Sequence, residues 1–161
     1  MSDHIRRLRA LVGNELLVLP AVAVLARDGQ DRILLVRHAD TGLWGTVGGG
    51  VDADEDPGDA AVRECREETG LDVVLGPVLT VLGGPEFRVR YENGDEASYV
   101  SIVYDGTVVG GELRPDGVET VECGWFERAS LFFVRRLCCK ANSRRFRRRE
   151  PPCSLRGGSR P

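Results

Sequence analysis

The stretch Gly49–Leu71 reads GGVDADEDPGDAAVRECREETGL. Within it Gly49, Glu55, Arg63, Glu64, Glu67, Glu68 and Gly70 stand at fixed spacings, followed by the aliphatic Leu71. Asp56 is a good helix N-cap, Pro57 fits the first helical turn, and Gly70 fits the position just past the end. The spacing therefore predicts a helix between Asp56 and Gly70. Glu64, Glu67 and Glu68 lie at i, i+3 and i+4, so a helix places three carboxylates on one face. Ala60, Ala61, Val62 and Cys65 supply small or apolar residues for its buried side. Glu64 and Glu68 form a like-charge i,i+4 pair that costs roughly 0.2–0.5 kcal/mol, and Arg63 can offset part of this through Glu67. A hard divalent cation offsets far more. Carboxylates and water suit Mg²⁺, which keeps several waters and commonly bridges carboxylates to substrate phosphates. The preceding Gly48-Gly49-Gly50 run lets backbone approach a ligand closely.

Acidic residues alone most often form a solvated helix face. Seven specified residues at about 6–7% usage each match by chance only roughly once in 10⁸ windows, which argues against that reading. The pattern resembles the signature of the Nudix hydrolases. This resemblance implies an α+β fold, an αβα sandwich with a mixed β-sheet, in which the signature forms a loop-helix-loop. It implies an Mg²⁺-dependent pyrophosphohydrolase, with Mn²⁺ as a substitute, that cleaves the diphosphate linkage of a nucleoside diphosphate joined to another moiety. By the same resemblance Glu64, Glu67 and Glu68 match metal-binding glutamates and Arg63 the arginine that orients them. Glu55 matches a supporting glutamate, and Gly48 and Gly49 lie where backbone meets metal or phosphate. Trp44 and Trp125-Phe126 also resemble family positions, with core packing as their expected role. The chain departs from the family in having Thr46-Val47 before the glycines, Asp52-Ala53-Asp54-Glu55 leading to the helix, and Cys65 at an aliphatic position. None of these removes an expected metal ligand. The general base stays open between Glu64 and an acid on a later loop: Glu86, Glu92, Glu96, Glu119 or Glu122.

Other site chemistries fail on their spacing. Asp52–Asp56 begins like an EF-hand loop, but positions 6 and 12 hold Pro57 and Arg63 where Gly and Glu are needed. No Gly-Lys-Ser/Thr follows the glycines, which excludes a Walker loop. Five cysteines without a C-x-x-C pair indicate neither a zinc site nor a disulfide framework. His4 and His38 are too far apart in sequence to suggest a metal pair. No apolar run reaches membrane-spanning length and no signal-peptide core is present, so cytoplasmic residence is the expectation.

At 161 residues the chain has the length of one domain. Its charge is divided unevenly. Residues 132–161 carry ten basic residues against one acid, a net +9, and the remainder 12 against 24, a net −12. We expect a domain over 1–137 and an Arg-rich tail over 138–161 whose composition does not favour folding. Two alternatives to the enzyme follow. One is a nucleotide-binding or regulatory module without turnover, and the other a nucleic-acid binder acting through the tail. Oligomeric state is not legible.

Hydrophobic patterning predicts a short amphipathic helix over Ile5–Val12 and strands over Val18–Ala26 and Arg32–Arg37, joined by a turn at Asp28-Gly29. A loop at Thr41–Trp44 leads into the glycines. Further strands are expected over Val73–Leu82, broken at Gly76-Pro77, and over Phe87–Tyr91, Ala97–Thr107 and Val121–Phe126. Asn93-Gly94 marks a hairpin, and a terminal helix is expected over 127–139.

Overall fold

The computed structural model describes residues 3–127. The expected terminal helix and the basic tail lie outside the described residues. Helix α1 spans Asp3–Val12 and helix α2 spans Pro57–Thr69. The strands are β1 (Leu17–Arg27), β2 (Ile33–His38), β3 (Trp44–Gly45), β4 (Leu71–Leu82), β5 (Arg88–Arg90), β6 (Glu96–Gly111) and β7 (Thr120–Phe126). They form one mixed sheet in the order β3-β2-β1-β6-β4, with β5 also on β6 and β7 also on β2. β1 and β6 run parallel, from Leu17 opposite Ala97 to Arg27 opposite Thr107, and the other pairs are antiparallel. This is the expected α+β class.

β1 meets β2 only where Arg27 faces Ile33, just beyond the hairpin turn. The two strands then part, and the segment after β3 enters the gap. Val24 N–H donates to the Val47 carbonyl and Val22 N–H to the Gly49 carbonyl, each at 2.9 Å. The glycine run is thereby held as an extra rung on the free edge of β1. The open end of the sheet thus receives the loop that precedes α2.

α2 begins and ends as the sequence predicts. The Asp56 carboxylate accepts from Gly58 N–H at 2.7 Å, and Pro57 occupies the first turn. Gly70 adopts φ 72° and ψ 5°, the left-handed conformation that glycine takes without a Cβ penalty, and its N–H donates to the Arg66 carbonyl. The helix buries Ala60, Ala61 and Cys65 against Val22, Val24, Ala26, Leu34, Val36, Val47, Leu71 and Val73. Val62, expected on this buried face, is 38% exposed. It lies on the solvent side of the stripe, because the apolar arc is narrower than four residues suggest. In β2, Leu34 and Val36 face this core, while Ile33 and Leu35 are buried on the opposite side of the sheet.

Three details differ from the sequence reading. Trp44, placed in a loop, forms a short strand against Arg37. β4 is not broken at Gly76-Pro77. It stays paired with β6 through register shifts between Leu75 and Val78, where Pro77 can give no ladder donor. The 3₁₀ turn Pro85–Phe87 takes up the start of the strand expected over Phe87–Tyr91. The Asn93-Gly94 hairpin holds, with Gly94 at φ 89° and Tyr91 N–H donating to the Asp95 carbonyl. α1 is tied to the sheet by Arg9, whose guanidinium donates to the Glu96 carbonyl at 2.7 Å and lies 3.6 Å from Asp95.

Candidate functional site

Arg63 is the hub of the site. Its Nε and one terminal nitrogen bind the two oxygens of Glu55 at 2.7 and 2.8 Å, a bidentate pair. The other terminal nitrogen donates to Glu64 Oε1 at 2.9 Å and to Glu67 Oε2 at 3.1 Å. A further bond reaches the Gly50 carbonyl at 3.1 Å. One guanidinium thus joins the loop before the helix, the glycine run and two helical carboxylates. Its rigid fork makes this geometry available where lysine would not. Spacing alone suggests the Glu67 contact. The Glu55 and Gly50 contacts depend on how the loop folds back, with Glu55 also accepting from Asp52 N–H at 3.0 Å.

The three glutamates do not share one environment. Glu68 is 2% exposed and Glu64 9%, whereas the Glu67 side chain is 60% exposed. The helix rotates Glu64 and Glu68 toward the sheet and leaves Glu67 at the rim. Glu68 Oε2 accepts from the Thr120 hydroxyl at 3.1 Å. Thr120 is fully buried at the start of β7, 52 residues away in sequence, and no local signal marks it. The turn before it is pinned by Asp116, whose carboxylate accepts from the N–H groups of Val118, Glu119 and Thr120.

Gly49 backs Glu64. A Cβ built at Gly49 would stand 2.3 Å from Glu64 Oε1, so only glycine leaves the carboxylate where it is. Gly48 lies equally close to β1, where a Cβ would come within 2.2 Å of the Val22 carbonyl oxygen. The aromatic positions pack as expected. Trp44 and Phe126 meet edge to face with centroids 5.0 Å apart, and Arg32 lies over Trp125.

Burial pushes the Glu64 carboxyl above its ordinary range. Arg63 opposes this, while the negative charges of Glu67 and Glu119 add to it. Of the five later acids named as bases, Glu119 is thus one whose charge bears on Glu64. Glu96 is instead paired with Arg88, and Glu122 with Arg37. Burial and the charges of Glu68 and Glu64 push the Cys65 thiol up to about 12, and Cys123 rises to about 11. Neither supplies a thiolate near neutral pH.

Glu55 moves the other way. The Arg63 hydrogen bonds hold its carboxyl at about 2, against an ordinary 4.5. A depressed pKa means that the pairing contributes stability above about pH 4.5 and loses it as the pH falls toward 2. We expect the stability advantage of the wild type over Glu55→Gln to be full at pH 7 and to narrow steadily below pH 4.5. Urea unfolding of both proteins across that range checks it, and a constant difference would contradict the pairing.

Among the described residues no three His, Cys, Asp or Glu side chains converge closely enough to enclose an ion directly. The donor set still fits a hard divalent cation. It consists of carboxylates, two of them buried where negative charge is costly. Glu64, Glu67 and Glu68 are the residues that could hold such an ion, with waters completing its shell. When bound, such a cation would offset negative charge on a phosphoryl ligand and lower the pKa of a bound water. The protein's own part is to fix Glu64 through Arg63 and Gly49, and Glu68 through Thr120.

The model of the NUDIX domain matches residues 18–148. The chain belongs to the Nudix family. It is therefore a hydrolase of the class acting on acid anhydrides in phosphorus-containing compounds. A Bacillus subtilis protein named provisionally as an 8-oxo-dGTP diphosphatase is 35% identical over 113 residues, 69% of each chain. An ADP-ribose pyrophosphatase of Methanocaldococcus jannaschii is 33% identical over 137 residues, 81% of this chain and 75% of that one. Of other curated relatives that it matches, the chain spans just over half the length. Among solved structures, the MutT protein of Methanosarcina mazei superposes with a TM-score of 0.62 at 25% identity, covering 77% of this chain and 87% of that one. Nudix hydrolases generally use divalent metal ions, in keeping with the carboxylate set around Arg63. Among the described residues no helix is long and apolar enough to cross a membrane.

Proposed function

We propose that this Nudix protein is an Mg²⁺-dependent pyrophosphohydrolase that cleaves the diphosphate linkage of a nucleoside diphosphate joined to another moiety. The observation that supports it best is the Arg63 hub, which gathers Glu55, Glu64 and Glu67 beside the glycine run while Glu68 is buried against Thr120. Glu64, Glu67 and Glu68 hold the cation in this reading, and Mn²⁺ can replace Mg²⁺ because both accept oxygen donors. Gly48 and Gly49 present backbone to the substrate phosphates. The base that activates water is Glu64 or, on a later loop, Glu119, the one of the later acids whose charge bears on Glu64. ADP-ribose is a substrate of the proposed kind, and the Methanocaldococcus relative is named for it.

A panel of ADP-ribose, nucleotide sugars, dinucleoside polyphosphates and 8-oxo-dGTP tests the reading, with product phosphates detected by ion-exchange chromatography. Turnover of at least one compound is expected with Mg²⁺ or Mn²⁺, and none in excess EDTA. Calorimetric binding of a nucleotide without product formation would instead establish a binding module and defeat the proposal.

A further inference from the structure

The C-terminal turn of α2 and the loop after β6 flank an open cleft of about 330 Å³, lined by Arg66, Glu67, Gly70, Arg114, Pro115 and Asp116. Glu67 borders this cleft and, through Arg63, the site described above. We infer that the cleft is a second anion subsite, in which Arg114 binds a phosphoryl group of the substrate lying beyond the diphosphate that is cleaved. The inference rests on the proposed hydrolase reading and names a part of the substrate that the reading leaves open.

The charges that line the cleft are not equally available. Glu67 is engaged by Arg63, and Asp116 by the amides of its own turn. Arg66 is paired with Asp72. Arg114 has no carboxylate partner among the described residues. Its backbone is nevertheless fixed, because its N–H donates to the Thr69 carbonyl at 2.9 Å. Its side chain lies across Gly70, where a Cβ would meet Arg114 Cγ at 3.1 Å and Nε at 3.4 Å. The C-cap glycine therefore does two things. It ends the helix, and it leaves a channel for the arginine stem.

The carbonyl end of a helix disfavours an anion. Here the Arg66 and Thr69 carbonyls already accept from Gly70 and Arg114 N–H groups, which blunts that field. A cation at Glu67 would compete with the Arg63 guanidinium already there. A phosphoryl oxygen needs only the guanidinium of Arg114, a planar fork that binds phosphate in bidentate fashion.

The test is calorimetric titration of the full chain with inorganic tripolyphosphate at low salt in EDTA. Without metal, nothing bridges phosphate to Glu64, Glu67 and Glu68, so the cleft is probed separately from the hydrolytic centre. We expect saturable binding that weakens about tenfold or more in Arg114→Gln and is partly restored in Arg114→Lys. Binding that Arg114→Gln leaves unchanged would place the anion elsewhere, for instance on the basic segment 132–161, and overturn the inference. So would a lowered Tm with unchanged affinity, which would make Arg114 only a counter-charge at the helix end. Because no turnover enters, this result is independent of the nucleotide panel, whose failure would strike the hydrolase reading instead.

Discussion

Glu68→Gln is expected to lower kcat by about a thousandfold while leaving the fold intact, the order of loss seen when one electrostatic contact to a reacting centre is removed. Glutamine has nearly the volume of glutamate, so Ala61, Cys65 and the rest of the core around α2 keep their packing. Its amide can still bond the Thr120 hydroxyl, which now donates to Glu68 Oε2. What is lost is a side chain able to carry a full negative charge toward a cation from a position only 2% exposed. A buried charge is costly to the folded protein unless something compensates it. Thermal unfolding without metal should therefore show Glu68→Gln as stable as the wild type or more so. The wild type alone should gain stability when Mg²⁺ is added, as expected for an ion that binds only the folded state. Initial rates on the best panel substrate, with Tm measured at matched metal concentrations, check both halves. Near-wild-type turnover would remove Glu68 from the metal set and, with it, the proposed mechanism.

The parts of this molecule that were legible in the sequence are those set by short-range rules. Asp56, Pro57 and Gly70 bracket α2 because capping chemistry acts within a few residues. The strands around it follow β-branched patterning, and the Asn93-Gly94 turn follows backbone sterics. Within the candidate site, helical spacing made the Arg63–Glu67 contact legible, and Arg63 also touches Glu64. Exposure was not legible. Helical spacing puts Glu64, Glu67 and Glu68 on neighbouring positions but cannot say where the sheet lies, so the burial of Glu64 and Glu68 and the exposure of Glu67 emerge only with β1 and β7 in place. The same limit explains Val62. Thr120 was illegible for a stronger reason. Its contact with Glu68 depends on β7 pairing with β2 rather than with its sequence neighbour β6, and on Asp116 shaping the turn that starts it.

Gly49→Ala should separate the site from the fold. The new methyl group would stand 2.3 Å from Glu64 Oε1 and 2.4 Å from Cδ, far inside contact distance. The backbone cannot retreat, because the Gly49 carbonyl accepts from Val22 N–H at 2.9 Å and the glycine run forms a rung on β1. The carboxylate can retreat, since it is the far end of a flexible side chain. Glu64 should therefore swing off Arg63, at little cost to stability. A displacement of about 1 Å at a reacting centre can cost about a hundredfold in rate, and we expect a kcat loss of that order with Tm nearly unchanged. Gly48→Ala provides the contrast. Its Cβ would meet the Val22 carbonyl at 2.2 Å and the Ala23 Cα at 2.7 Å, both backbone, and Gly48 holds φ 151°. There the strand itself must move, so Tm should fall together with activity. Measuring kcat and Tm for the pair decides whether Glu64 must sit where Gly49 leaves it. If Gly49→Ala keeps its rate within about threefold, a span of less than 1 kcal/mol in barrier height, the position of Glu64 is not what the chemistry depends on, and the base assignment passes to Glu119.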